Sequence, residues 1–135
     1  MTKRLATALA SLTLIAMMQP ASAQPAATMP AETINISLTD YAFAPAALAL
    51  KAGTVYRLHL SNGGSKDHDF NAPEFFAASQ LAPEDRAKVK RGKIAIDKGQ
   101  EADVTVTTGT AGSYPVTCTH FMHSMMGMHG TITVQ

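Results

Sequence analysis

The chain has a single cysteine, Cys118, so no disulfide can form within it. It also has little net charge: apart from Lys3 and Arg4, nine basic residues face ten acidic ones. This balance gives no electrostatic attraction to nucleic acid or to an anionic membrane surface. Beyond residue 18 there is no second long apolar run, so no membrane-spanning helix is predicted there. These absences predict a small protein that neither binds nucleic acid nor inserts into a membrane.

The first 23 residues have the three parts of a secretory signal peptide. Lys3 and Arg4 are the basic start, residues 5–18 are apolar, and Ala-Ser-Ala at 21–23 is a small-residue cleavage signal. The apolar run of 14 residues is shorter than the ~20 that a bilayer span needs. With no cysteine near the cleavage point, lipid attachment there is excluded. We therefore expect cleavage after residue 23 and export of a soluble chain of 112 residues to the periplasm.

Most of the remaining chain alternates between apolar and polar residues with a period of two. Residues 24–32 are rich in proline and alanine and predict a flexible leader before the alternation begins. In a typical run, Leu58 and Leu60 alternate with polar neighbours before an Asn-Gly-Gly turn. Short runs of this kind, separated by turn residues, predict an antiparallel sandwich or barrel in one domain, residues 33–135.

One stretch departs from the alternation. Pro83 stands where a first helical position would be, two acidic residues follow it, and basic residues precede Gly92. This order complements a helix dipole and predicts one short surface helix. The preceding residues 73–81 predict an irregular or helical connection that packs Phe75 and Phe76 against the sheet.

Cys118 opens a segment that is dense in metal-binding side chains. In an oxidising compartment a lone thiol is buried and inert, paired with another chain, or bound to a metal. His123 follows five residues after Cys118, and Met128 five residues later again. Thiolate, imidazole and thioether together favour copper, and His68, just after the Asn-Gly-Gly turn, is the best candidate for a fourth ligand. Two histidines, one cysteine and a weak axial methionine are the ligands of a blue-copper electron-transfer site.

Other residues of the segment compete for these positions. Met125 and Met126 are alternatives to Met128 as the axial ligand, and His120 is an alternative to His123. His68 could instead be a turn residue hydrogen-bonded to Asp67 or Asp69. The spacing favours the following set of metal ligands: His68, Cys118, His123 and Met128.

Residues 112–118, read with the spacing C-x4-H-x4-M, resemble the C-terminal copper loop of the plastocyanin/azurin (cupredoxin) family. The resemblance implies an all-β, Greek-key cupredoxin β-sandwich, here with one short inserted helix. It also implies one mononuclear copper ion and one-electron transfer. The chain departs from the family at two points: Phe121 and Met122 stand where Pro-Gly is common, and Asp69 follows the first histidine where asparagine is common.

Two functions are compatible with these residues. The first is a periplasmic type 1 (blue) copper protein that acts as a one-electron carrier. The alternative is a periplasmic Cu(I) chaperone, scavenger or copper-site assembly factor, because the methionines and histidines of residues 120–129 outnumber the ligands that electron transfer needs. No catalytic residues are predicted, since a four-ligand site leaves no open position for a substrate. We expect a monomer that meets a redox partner or a copper-receiving protein transiently.

Overall fold

The alternation of apolar and polar residues produces a sandwich of two β-sheets. The computed structural model describes residues 31–135, so the predicted signal peptide and nearly all of the predicted leader lie outside the described residues. The domain boundaries therefore stay a prediction. The strands are β1 (Glu32–Thr39), β2 (Ala42–Ala44), β3 (Ala47–Leu50), β4 (Val55–Asn62), β5 (His68–Asn71), β6 (Gln80–Leu81), β7 (Lys93–Ile96), β8 (Glu101–Thr107), β9 (Gly112–Thr117) and β10 (His129–Val134).

The connections pass repeatedly from one sheet to the other. One sheet has the strand order β2-β1-β4-β8-β6 and the other the order β3-β10-β9-β5-β7. Most neighbours within a sheet are therefore not consecutive in the chain, as in a Greek-key sandwich. The all-β fold predicted from the sequence is confirmed.

The core lies between the two sheets and is filled by the apolar residues of the alternating runs. In β4, Leu58 and Leu60 are fully buried while Arg57 is exposed. Leu58 faces Val104 of β8 in the antiparallel register, and both side chains are inaccessible to solvent. The period of two thus decided which residues face the core.

Two strand pairs of the sandwich are parallel, whereas the sequence predicted antiparallel neighbours. β1 pairs with β4 in parallel, with Ile36 opposite Leu60, and β3 pairs with β10 in parallel, with Leu48 opposite Ile132. Alternation specifies the face on which a side chain lies, but it does not encode the direction of the neighbouring strand. The direction is set instead by connections that cross between the sheets.

The insertion after β5 contains two short helices rather than the single helix predicted. The α-helix α1 (Pro73–Ala77) buries Phe75 and Phe76, as expected for a connection that packs its aromatics on the sheet. The helix predicted from Pro83 is a 3₁₀ helix, Pro83–Lys88, whose one buried residue is polar. This residue is Asp85, whose buried carboxylate accepts hydrogen bonds from the Thr105 N–H at 2.7 Å and from Lys88 at 2.6 Å. Neither helix in this part of the chain is long and apolar enough to cross a membrane.

Candidate metal centre

Cys118 lies immediately after β9, at one end of the sandwich. Val116 of the same strand is buried, and the period of two places Cys118 on the same inward face, where it is 2 % exposed. Its backbone N–H donates to the carbonyl of Met128 at 3.2 Å, so the antiparallel pairing of β9 and β10 continues to the base of the intervening loop. The inward orientation predicted for Cys118 is confirmed.

The loop between Cys118 and Met128 folds back on itself through successive turns. The N–H of His123 donates to the carbonyl of His120 at 3.1 Å, and the N–H of Met128 donates to the carbonyl of His123 at 3.0 Å. Gly127 has a φ of 104°, a conformation that only glycine adopts readily, and it allows the final turn into β10. These turns carry His123 back over the cysteine.

The structure brings three of the four predicted ligands together from two distant parts of the chain. The Nδ1 atoms of His68 and His123 are 3.1 Å apart. The Sγ of Cys118 lies 3.5 Å from His123 Nδ1 and 3.9 Å from His68 Nδ1. All three residues are buried, and their donor atoms fall within 4.8 Å of one another. His68 is therefore not a turn histidine bonded to a neighbouring aspartate: it is a buried residue of β5.

The burial of the loop methionines distinguishes between the candidates for the axial position. Met128 is fully buried, whereas Met125 is 83 % exposed and Met126 is 54 % exposed. A buried side chain beside Cys118 is the better placed of the three to approach the cluster. His120, the alternative to His123, is exposed and outside the group of three donors, although its ring centroid is 5.5 Å from that of His123. The role of the four residues as metal ligands stays a prediction.

Asp40 contacts the outer nitrogen of His68, a partner that the sequence reasoning missed. His68 Nε2 lies 3.3 Å from Asp40 Oδ1. The Ser65 hydroxyl hydrogen-bonds to the same carboxylate and holds the pKa of Asp40 below its usual value. A proton on Nε2, donated to Asp40, leaves the Nδ1 lone pair directed at the cluster, which is the tautomer that a metal ligand needs. The backbone of Gly64 packs against this pair.

Asp69 is the second missed residue, and it links the two segments that carry the cluster. Its buried carboxylate accepts hydrogen bonds from the backbone N–H of Thr119, at 2.7 Å, and from the Thr119 hydroxyl. Lys93 Nζ lies 3.6 Å away. Thr119 directly follows Cys118 and Asp69 directly follows His68, so the carboxylate fixes one ligand strand against the other. The only signal in the sequence was an aspartate at a position where the family commonly has asparagine.

Burial favours the uncharged forms of Cys118 and His123. Burial raises the pKa of the Cys118 thiol, and burial, followed by the neighbouring His68, lowers the pKa of His123. A neutral imidazole already presents a lone pair to a metal ion. The thiol must lose its proton on binding, so metal uptake releases a proton.

The donor set fits one mononuclear copper ion. Two imidazole nitrogens and one sulfur converge in a space closed to solvent, with the buried Met128 beside them. Sulfur ligands favour Cu(I), imidazole suits both oxidation states, and this combination is characteristic of copper electron-transfer sites.

Comparison with solved structures found the same fold in several copper proteins. Auracyanin B is 25% identical, with a TM-score of 0.59 over 79% of this chain and 91% of that chain. Auracyanin A from Chloroflexus aurantiacus is 19% identical, with a TM-score of 0.56 over 78% and 100% of the two chains. A multicopper oxidase from Campylobacter jejuni is 16% identical, with a TM-score of 0.60 over 84% of this chain but 32% of that chain.

Comparison with curated protein sequences found no significant match. The sequence pattern of one protein family does match: the cupredoxin-like domain, over residues 7–134. This match spans nearly the whole chain, and it agrees with the two-sheet fold and with the buried histidines and cysteine at one end of the sandwich. The chain belongs to the cupredoxin-like family.

Proposed function

We propose that the protein is an exported electron carrier that holds one type 1 copper ion and exchanges single electrons with a partner protein in the periplasm. The observation that carries the proposal is the buried convergence of His68, Cys118 and His123, with Met128 fully buried at the end of the same loop. Copper bound there would supply the exchange between Cu(I) and Cu(II). Auracyanin A, which has the same fold, is described as a "blue" copper protein.

The surrounding residues suit this role because they hold the donor atoms in place and exclude water. Asp40 orients His68, and Asp69 joins the β5 and β9 segments, so neither ligand strand needs to move when the charge of the ion changes. Preorganisation of this kind lowers the rearrangement that accompanies electron transfer. His123 is the most accessible of the four predicted ligands, at 7 % exposure, and follows the exposed Phe121 by two residues in the chain. It is the natural exit for an electron.

The proposal includes no enzymatic reaction. A site filled by four protein ligands leaves no position for a substrate. The likeness to the multicopper oxidase covers 32% of that chain at 16% identity, and so concerns the fold alone. Export is proposed from the signal-peptide pattern, and the mass of the chain recovered from the periplasm tests it: the processed chain should lack residues 1–23.

The central test is the visible absorption of the processed chain loaded with Cu(II). We expect an intense thiolate-to-copper band that bleaches on reduction and returns on oxidation. Cys118→Ser should abolish the band, and His68→Ala should abolish or strongly shift it. His129→Ala is the matched control, because this histidine is exposed and outside the cluster. A colourless protein that binds only Cu(I) and loses it readily to a chelator would contradict the proposal.

A colourless protein that binds only Cu(I) would support copper trafficking instead. The specific observation in favour of trafficking is the exposure of three methionines, Met122, Met125 and Met126, on the loop that covers the cluster. Thioethers exchange Cu(I) readily, whereas a one-electron carrier needs one weak axial sulfur at most.

A further inference from the structure

The exposed large apolar side chains of residues 31–135 all lie on one loop. They are Phe121 at 88 % exposure, Met122 at 47 %, Met125 and Met126. Three of the four are methionines, whereas the large apolar residues elsewhere in the described chain are buried or partly buried. Their exposure gains nothing in core packing, because the sheets are already filled by buried aliphatic and aromatic residues. These thioethers are free to act on something outside the fold.

Backbone hydrogen bonds wind the loop into successive turns, which bring the backbones of its methionines and of His120 close together. The N–H of Met126 donates to the carbonyl of Met122 at 3.0 Å, which sets these two residues one turn apart. Met125 lies within the same turn. The N–H of His123 donates to the carbonyl of His120 at 3.1 Å, so the exposed His120 begins the same series of turns.

The buried cluster has no ligand that an incoming ion can reach freely. His68 and Met128 are inaccessible, and Cys118 and His123 are nearly so. His123, the most accessible of the four at 7 % exposure, lies on the loop, so an ion that enters past it must exchange its ligands on the way. His120 lies beside this ligand, with its ring centroid 5.5 Å from that of His123. Its imidazole is 41 % exposed, and its Nε2 lies 3.8 Å from Asp69 Oδ2. An exposed nitrogen ligand thus lies beside the buried cluster, on the same loop as the exposed thioethers.

We propose that His120 and the thioethers of Met122, Met125 and Met126 form a second metal site, on the surface, which binds Cu(I) and passes it to the buried cluster. Neutral thioethers select the soft Cu(I) ion, and flexible methionine side chains adapt to an ion that arrives and leaves. No electron moves in the transfer: bonds from copper to thioether break, the bond to the Cys118 sulfur forms, and the thiol proton passes to water. The transfer step rests on the proposed copper site, but binding at the loop does not.

The test is a Cu(I) titration of the processed chain against bicinchoninate, a coloured Cu(I) chelator. We expect two equivalents for the unmodified protein and one for the triple variant Met122→Leu, Met125→Leu, Met126→Leu. Leucine keeps the size and the apolar surface while removing the sulfur. The matched control is Phe121→Leu, which changes the same surface without touching a thioether and should retain two equivalents. X-ray absorption of the loop-bound ion should show sulfur neighbours that the triple variant lacks.

The outcomes separate this inference from the proposed function. Cys118→Ser should lose the buried equivalent and keep the loop equivalent. A protein with the visible Cu(II) band but a single Cu(I) equivalent, or a triple variant that retains two, would overturn the surface site and leave the electron carrier intact. Two Cu(I) equivalents without any visible Cu(II) band would support the surface site and contradict the electron carrier. The triple variant should also load its buried site with Cu(I) more slowly than Phe121→Leu does, and equal loading rates would overturn the transfer step.

Discussion

Gly64→Ala should weaken copper binding, although Gly64 is not a predicted ligand. A Cβ atom at this position would lie 2.7 Å from Asp40 Oδ1 and 2.8 Å from His68 Nε2. Ordinary contacts begin at 3.4 Å, so each of the two groups must retreat by about 0.6–0.7 Å. The Asp40–His68 contact of 3.3 Å is already long, and this displacement breaks it.

The expected loss follows from the role of the second nitrogen of a metal-binding histidine. Removing the partner that orients such a ring costs about 10- to 100-fold in metal affinity. This corresponds to about 1.4–2.7 kcal/mol of binding free energy, since each tenfold change is about 1.4 kcal/mol. The metal-free fold should lose only about 0.5–1.5 kcal/mol, the cost of side chains displaced from their preferred rotamers.

The neighbouring glycine provides the control. A Cβ on Gly63 would meet nothing within 4 Å, so Gly63→Ala changes the same turn without pressing on the pair. Copper affinity measured by competition with a chelator should fall for Gly64→Ala and stay unchanged for Gly63→Ala. Thermal unfolding of both metal-free variants separates loss of affinity from loss of fold.

The double variant Asp40→Ala, Gly64→Ala tests whether the loss of affinity acts through the contact between Asp40 and His68. Asp40→Ala removes the acceptor, so adding Gly64→Ala to it should cause a smaller loss of affinity than in the unmodified protein, because only the direct contact with His68 remains. A copper affinity of Gly64→Ala within twofold of that of Gly63→Ala would refute the role given to Gly64. So would losses of affinity from Asp40→Ala and Gly64→Ala that simply add in the double variant.

Three further predictions concern the core, the outer face of the sandwich and the electrostatics of the site. Leu58→Ala, at a fully buried position, should lower the free energy of unfolding by about 2–5 kcal/mol in a denaturant titration, and a loss below 1 kcal/mol would contradict the assignment of Leu58 to the core. Arg57 holds the pKa of Asp103 at about 2 in the folded state, below the ordinary value of 3.8, so Asp103→Asn should be less stable than the unmodified protein above pH 4. The difference in Tm between the two proteins should disappear as the pH falls from 3.8 through about 2. Parallel curves of Tm against pH would contradict this expectation. Asp69→Asn keeps an acceptor for the Thr119 N–H but removes a buried negative charge that favours Cu(II), so voltammetry should show a higher reduction potential, not an equal or lower one.

The inward and outward faces of the strands were predictable because a strand has a fixed period. Leu58 and Cys118 are buried as their positions in alternating runs require. The direction of β1 beside β4 was not predictable, since parallel and antiparallel neighbours have the same alternation. Local period carries no information about connections that cross between sheets.

The residues of the candidate metal centre were predictable to a similar degree. His123 follows from its spacing to Cys118 within one loop. The contact between His68 and Asp40 joins residues 28 positions apart, and no local pattern in the sequence indicates it. Burial favours one of the candidates that spacing left open for the axial position: Met128 is enclosed, and Met125 is exposed to solvent.

β5 and β9 meet through a single residue pair, Asn71 opposite Thr117, so the two segments that carry the cluster are joined by few backbone hydrogen bonds. A metal ion bound to both His68 and Cys118 would connect residues 50 positions apart across this junction. In a chain with one cysteine it would take the place of a disulfide. A cross-link of that span restricts the unfolded chain by about 4 kcal/mol in the chain-entropy account of such links. Loading with copper should therefore raise the thermal stability and the resistance to proteolysis of the whole sandwich.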